Sequence, residues 1–263
     1  MPRVAPIRVH RVSGEVVGPE DSDLLAVEEP LQIRIEGRSV AVTMRTPGDD
    51  LDLAAGFLYT EGVIDGDDDL VALAHVGHPL DPQRNTVDVR LASGVPQHRR
   101  VMADRALFSS SSCGICGKES IDRIRQSVAR VQQDFVVPHA VLHRLPVQLA
   151  AAQAVFDQTG GLHAAALFSA DGTLEVLRED IGRHNAVDKV IGWRLRQDRV
   201  PIDDRVLLVS GRAGFEIVQK AAVAGIPVLA AVGAPSSLAA SLAAEVGMTL
   251  IGFLRDGRYN RYG

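Results

Sequence analysis

Several things are scarce in this sequence. Its 263 residues include only two cysteines, one tryptophan and 4% aromatics, and the net charge is a mild −5. Two cysteines cannot staple a chain of this length, so the fold must stand on its hydrophobic core. A balance of −5 excludes nucleic-acid or membrane-surface binding driven by overall charge and leaves room only for a local basic strip. No apolar run is long enough to span a bilayer, since the most apolar stretch, residues 221–234, is broken by Gly225, Pro227 and Gly233. Residues 1–15 mix Arg3, Arg8 and Arg11 with prolines and contain no apolar heart of a signal peptide. No fixed-period repeat or low-complexity tract is present. With 46% hydrophobic residues the chain has enough apolar surface to fold, and disorder is excluded. The expectation is a cytoplasmic protein with neither a nucleic-acid nor a membrane partner, in which free thiols persist.

What is there falls into two textures. In residues 31–44, Leu31, Ile33 and Ile35 alternate with polar residues, Glu36-Gly-Arg38 turns the chain, and Val40, Val42 and Met44 alternate again, which predicts a hairpin. Thr46-Pro-Gly-Asp-Asp50 is turn chemistry with carboxylates at a helix start. Leu51, Ala54, Ala55 and Leu58 continue at helical spacing until Gly62. Residues 65–69 form an acidic loop and residues 86–91 an alternating strand. Residues 1–104 are therefore expected to form a β-rich α+β unit. Residues 105–118 are expected to form a mobile loop carrying Cys113 and Cys116, and residues 119–263 an α/β domain. In that domain a helix starts at Glu119, and another opens at Pro146 and stops at Gly160-Gly161. A strand pair follows at 162–168 and 174–177, then a helix over 185–195. Strands at 206–209, 226–232 and 248–254 alternate with helices at 214–224 and 236–246. Apolar strands alternating with helices predict a parallel sheet covered on both faces.

Four constellations could carry chemistry. Cys113 and Cys116, separated by Gly-Ile, precede a helix start and Lys118, a setting that favours thiolate. A redox disulfide, half of a zinc site and a sulfur carrier all fit the pair; an incidental pair of small loop residues is the bland alternative. Zinc fares poorly, because no second cysteine pair exists and the His-x-Glu and Pro-Cys-x-x-Cys halves of a base-deaminase site are both missing. No structural metal is expected. Second, Glu179-Asp-Ile-Gly-Arg-His-Asn-Ala-Val-Asp-Lys189 packs charge into a strand-to-helix junction, with His184 and Asp188 one turn apart as a possible orienting pair. A helix cap with salt bridges explains it almost as well, although such junctions are also where α/β sheets hold ligands. Third, Ser210-Gly-Arg-Ala-Gly214 joins an apolar strand to a helix and offers backbone amides and Arg212 to an anion; a plain tight turn is the alternative. Fourth, Arg255, Arg258 and Arg261 sit among tyrosines at the carboxyl end. A solvated tail is the default there, and Arg forks beside rings also suit phosphate with a stacked base.

Taken in order, Pro47-Gly-Asp-Asp50, Gly56-Phe-Leu-Tyr-Thr-Glu-Gly62, Ser112-Cys-Gly-Ile-Cys-Gly117, Thr159-Gly-Gly-Leu-His-Ala164, Glu179 to Lys189, Ser210-Gly-Arg212 and Arg258-Tyr-Asn-Arg-Tyr262 resemble the FdhD family, the formate dehydrogenase accessory sulfurtransferases. Only the extreme N-terminus and roughly residues 65–100 give this no support. The resemblance implies a cytidine-deaminase-like three-layer α/β/α domain without its zinc chemistry. It also implies transfer of persulfide sulfur from a cysteine desulfurase to the molybdenum (or tungsten) of a bis(guanine dinucleotide) cofactor destined for formate dehydrogenase. By the same resemblance Cys113 carries the persulfide, Cys116 is its partner, and Phe253, Leu254, Arg255, Asp256, Gly257 and Arg258 bind the cofactor. It does not fix the roles of His163, His184 and Asp188. A thiol–disulfide oxidoreductase and a non-catalytic cofactor-binding chaperone are the rival readings, and a homodimer is the default assembly.

Overall fold

The structure, a computed structural model, describes residues 1–77, 84–99, 131 and 134–262. Cys113, Cys116, the loop expected over 105–118 and the helix expected from Glu119 lie outside the described residues.

Twelve strands among these residues form three sheets. Among the described residues β1 (Val4–Ser13) and β2 (Val16–Ala26) pair only with each other. β3 (Glu29–Ile35), β4 (Arg38–Arg45), β5 (Leu70–His75) and β6 (Thr86–Leu91) form a four-stranded sheet of order β4-β3-β6-β5. The predicted β3–β4 hairpin is present, with left-handed Glu36 and Gly37 at its turn. The larger sheet has order β12-β11-β10-β9-β7-β8. It is built from β7 (His163–Phe168), β8 (Leu174–Asp180), β9 (Val206–Val209), β10 (Val228–Ala231), β11 (Thr249–Arg255) and β12 (Arg258–Tyr262). β9, β10 and β11 run parallel, as the apolar runs at their centres predict, and the flanking strands pair antiparallel.

Side-chain parity shows why the sheet needs cover on both faces. Ala165, Leu167, Leu207, Val209, Leu229 and Leu250 enter one apolar cluster, while Ala164, Ala166, Phe168, Val206, Leu208 and Ile251 enter another. The first face is covered by α4 (Arg183–Leu195), α5 (Phe215–Val223) and α6 (Ser237–Val246). The second is covered by α2 (His139–Ala152) through Val141, Leu142, Leu145 and Leu149. Ser236 caps α6 by accepting the Ala239 amide at 3.2 Å, where the sequence placed the helix start. α1 (Asp50–Thr60) packs against α4 on one side and β5 and β6 on the other, so its Leu53, Ala54 and Leu58 join the first cluster together with Ile33, Val87 and Val89.

Two expectations need correction. The helix predicted to open at Pro146 starts at His139, just after Pro138, and carries Pro146 in its interior. The chain then breaks at Gln153, and the short α3 (Ala154–Thr159) ends at left-handed Gly160 as predicted. The apolar spacing of Val141, Leu142, Leu145 and Leu149 against the sheet outweighs the one amide that proline removes. Nor is the arginine-rich carboxyl end a solvated tail: it is β12, hydrogen-bonded along β11.

Candidate functional site

The carboxyl ends of β9, β10 and β11 open on one edge of the larger sheet, and the loops leaving them are laced together by backbone hydrogen bonds. Gly233 donates to the Gly211 carbonyl at 2.9 Å, Ser236 to Ala213 at 3.1 Å and Phe253 to Gly233 at 3.0 Å. The packing requires glycine at position 233, where a Cβ would stand 2.8 Å from the Gly211 oxygen. The same edge receives the start of β7. Ser210 and Ala164 exchange hydrogen bonds, the Ser210 amide donating to the Ala164 carbonyl and the Ala164 amide to Ser210 Oγ, each at 2.9 Å. His163 therefore stands beside Gly211, whose Cβ would meet its Nδ1 at 3.3 Å.

The charged junction of residues 179–189 divides into an inward and an outward set. Glu179 turns back to α3, its two carboxylate oxygens accepting the amides of Val155 and Phe156 at 3.0 and 2.7 Å. Asp180, fully buried, accepts from Lys189 Nζ at 2.8 Å, the Thr46 amide at 3.2 Å, the Gly182 amide at 2.8 Å and Asn185 at 2.9 Å. Asp188 faces the other way, accepting Thr60 Oγ1 at 2.8 Å and Lys220 Nζ at 3.0 Å. Burial raises the Asp188 pKa above that of an ordinary carboxylate despite Lys220. Burial also opposes the Lys220 charge, but Asp188 and Glu61 outweigh it and raise the lysine's pKa. These residues serve the fold, as the bland reading of the motif has it.

His184 and Asp188 do not form the expected pair. His184 Nε2 meets Glu216 Oε2 at 2.7 Å across the starts of α4 and α5, because the charge on α5 claims each of the two separately. The outward set of the junction is thus Arg183 and His184, which act on His163 together with Arg212. Neither Arg183 nor Arg212 has a hydrogen-bond or ion-pair partner among the described residues. Burial is the main cause of a lowered His163 pKa, with Arg183, His184 and Arg212 adding to it against Asp180. An imidazole kept neutral among guanidiniums at two uncapped helix starts can donate to and accept from an oxyanion. Glu216 and Lys220, both on α5, carried no sequence signal of their own.

Residues 253–258 leave the same edge. Phe253 holds a positive φ of 54° and is exposed, while Leu254 is fully buried in the second cluster and anchors the segment. Arg255 and Arg258 are opposed across the β11–β12 turn and, with Asp256 and Gly257, are exposed. Behind them Tyr259 hydrogen-bonds His139 Nδ1 at 2.5 Å and stacks on its ring, tying the turn to α2. The sheet edge therefore brings together His163, the 179–189 junction, Ser210–Arg212 and Phe253–Arg258, which lie far apart in sequence. Among the described residues no group of three or more His, Cys, Asp or Glu side chains is placed to hold a metal ion, and no helix is long and apolar enough to cross a membrane.

The wider comparisons agree with one another. A sulfur carrier protein FdhD from Mycolicibacterium paratuberculosis is 52% identical over 259 residues, covering 96% of this chain and 94% of the relative. One from Anaeromyxobacter dehalogenans is 49% identical, covering 91% and 86%. A crystal structure of a candidate formate dehydrogenase accessory protein from Desulfotalea psychrophila superposes with a TM-score of 0.78 over 100% of this chain and 97% of its own, and at 24% identity this speaks for the fold. The profile of the FdhD/NarQ family matches residues 26–263, so the chain belongs to that family.

Proposed function

We propose that this chain is a cytoplasmic sulfurtransferase that loads Cys113 with persulfide sulfur from a cysteine desulfurase. It delivers that sulfur to the molybdenum of a bis(guanine dinucleotide) cofactor destined for formate dehydrogenase. Family membership and the sulfur-carrier names of its half-identical relatives support the sulfur half of this reading. The observation that carries the cofactor half is the convergence, on one sheet edge, of the Arg255–Arg258 turn with His163, Arg183 and Arg212. A cytidine-deaminase-like description of the larger sheet and its helices belongs to the same reading.

The steps balance. The Cys113 thiolate attacks the outer sulfur of the donor persulfide, the donor sulfur–sulfur bond breaks, and the donor cysteine leaves as thiolate. Release of that sulfur to the acceptor as sulfide takes two electrons from cellular thiols: one thiol attacks the Cys113 sulfur, hydrosulfide leaves for the acceptor, and a second thiol reduces the mixed disulfide back to the Cys113 thiolate. Alternatively Cys116 expels it as hydrosulfide and closes a Cys113–Cys116 disulfide, which a cellular thiol then reduces. The cofactor is substrate, and the residues toward it divide the work. Arg255 and Arg258 pair with its phosphates, Phe253 offers a ring face to guanine, and the amides at the starts of α4 and α5 with Arg183 and Arg212 neutralise further oxyanion charge. Leu254 contributes by holding the segment in place.

Intact mass spectrometry after incubation with a desulfurase and cysteine is the test. One added sulfur on the wild type, none on Cys113→Ala, and unchanged GDP binding by that variant are the expected results. Turnover of glutathione disulfide without a sulfur adduct would favour an oxidoreductase, and maturation of active dehydrogenase by Cys113→Ala in cells would favour a binding-only chaperone.

A further inference from the structure

β11 and β12 do not pair residue for residue. Gly252 stands opposite Asn260 and Arg255 opposite Arg258, so Phe253 and Leu254 together face the single residue Tyr259. This is a β-bulge whose first residue takes the left-handed φ that such bulges ordinarily give to glycine. A bulky side chain at φ 54° is strained. Burial does not offset the strain, since Phe253 is 41% exposed. Glycine would adopt the same φ freely and lose little packing, so the ring is kept for a use outside the fold. From the sheet side the bulge is held by the Phe253 amide donating to the Gly233 carbonyl at 3.0 Å and by fully buried Leu254. Gly252 before it lies so close to Pro235 that a Cβ there would stand 2.6 Å from the proline Cδ. From the β12 side it is held through Tyr259. The Tyr259 hydroxyl hydrogen-bonds His139 Nδ1, its ring lies within 14° of parallel to the His139 ring with centroids 5.9 Å apart, and the His143 ring tilts against it at 5.5 Å. Both histidines belong to α2, which Leu145 and Leu149 fix to the sheet.

We infer that Tyr259, braced by His139 on α2, is a positioning residue: it keeps Phe253 in its strained conformation and so keeps the ring and the Arg255–Arg258 turn set for a guanine nucleotide. That the ring and the turn receive a guanine nucleotide rests on the function proposed above; that the brace holds the bulge rests on the geometry of β11, β12 and α2. With the brace removed, Phe253 relaxes to negative φ in a fraction of the molecules. Nucleotide affinity then falls by the inverse of the fraction still in the bulge.

Fluorine NMR of the full chain with a fluorinated phenylalanine at position 253 reads the bulge, and titration with GDP reads the site. Tyr259→Phe keeps the ring and loses the hydrogen bond. His139→Ala loses the bond and the stacked ring together and, at an exposed position opening α2, should leave the melting temperature unchanged. The expected result is one fluorine resonance in the wild type and a second in the variants, carrying about half of the intensity in Tyr259→Phe and about two-thirds in His139→Ala. GDP affinity should fall about twofold and threefold to match. The double variant should be no worse than His139→Ala, because both changes act through one contact. Phe253→Gly, which removes ring and strain together, should melt no lower than the wild type. A single unchanged resonance in both variants, losses that add in the double variant, or a Phe253→Gly melting temperature lowered by more than about 4 °C would each overturn the inference. A second resonance in the variants beside a wild type that binds no GDP would uphold the brace and overturn the proposed cofactor site instead.

Discussion

Lys220→Met isolates what holds α4 between α1 and α5. Lys220 Nζ donates to Asp188 at 3.0 Å, to Thr60 Oγ1 at 2.8 Å and to Glu61 at 3.3 Å, and both Lys220 and Asp188 are buried. Methionine keeps most of the volume but leaves the Asp188 carboxylate in the core with only the Thr60 hydroxyl as donor. Removing one partner of a buried pair costs about 3–5 kcal/mol, which for a domain of this size lowers the melting temperature by about 6–20 °C. The pH dependence has a definite sign. Burial already raises the Asp188 pKa, and without the ammonium it rises further. The folded variant then binds a proton that the unfolded chain releases, so its stability falls as pH rises above the ordinary carboxylate range. Its deficit against the wild type should accordingly narrow on acidification, by up to about 1.4 kcal/mol per pH unit. Lys220→Met combined with Asp188→Leu, which removes both charges, should recover most of the loss. Thermal melts of all three proteins between about pH 8 and pH 5 make the measurement. A loss under about 1 kcal/mol, or a deficit indifferent to pH, would refute the reasoning.

Other expectations follow from single contacts. In Gly192→Ala the new Cβ would stand 1.9 Å from the Asp52 carbonyl oxygen, so α1 and α4 must part; a loss of about 3 kcal/mol or more, or failure to accumulate folded protein, should appear in urea unfolding. Arg258→Ala removes an exposed guanidinium and should weaken GDP binding about three- to tenfold in a titration, with no fall in melting temperature and no change in the sulfur load of Cys113. The His163 imidazole should titrate below about pH 6.5 by NMR. Because its folded pKa is lowered, the stability it contributes is present above about pH 6.5 and lost as pH falls through the folded value, so wild type and His163→Gln should converge on acidification.

Much of the larger sheet was legible because its signals are local. Residues 206–209 are four apolar residues between turns, Ser236 is a capping residue before an apolar stripe, and Gly160-Gly161 ends a helix; each appears where expected. The misses share a cause in tertiary context. Residues 4–26 interleave arginine, histidine and proline with valine, and they become strand only by pairing with themselves. Pro146 advertises a helix start, yet the face that packs on the sheet begins at Val141. At the site, sequence located the charged junction but not its division, since whether a carboxylate turns inward is set by residues far along the chain: Thr46 for Asp180, and Thr60 and Lys220 for Asp188. Gly56 and Gly192 let the backbones of α1 and α4 touch, a pairing that neither helix shows by itself.

The break at Gln153 has a consequence for the timing of local opening. α3 has no cap of its own, and its first amides are held by the Glu179 side chain from β8, 23 and 24 residues along the chain. A six-residue helix would ordinarily fray and exchange its amide protons within the unstructured range. Here the protons on Val155 and Phe156 are released only when β8 itself withdraws the carboxylate. Their hydrogen exchange therefore keeps the slow clock of the sheet, and the two amides report from the surface on the integrity of the strand that leads into the site.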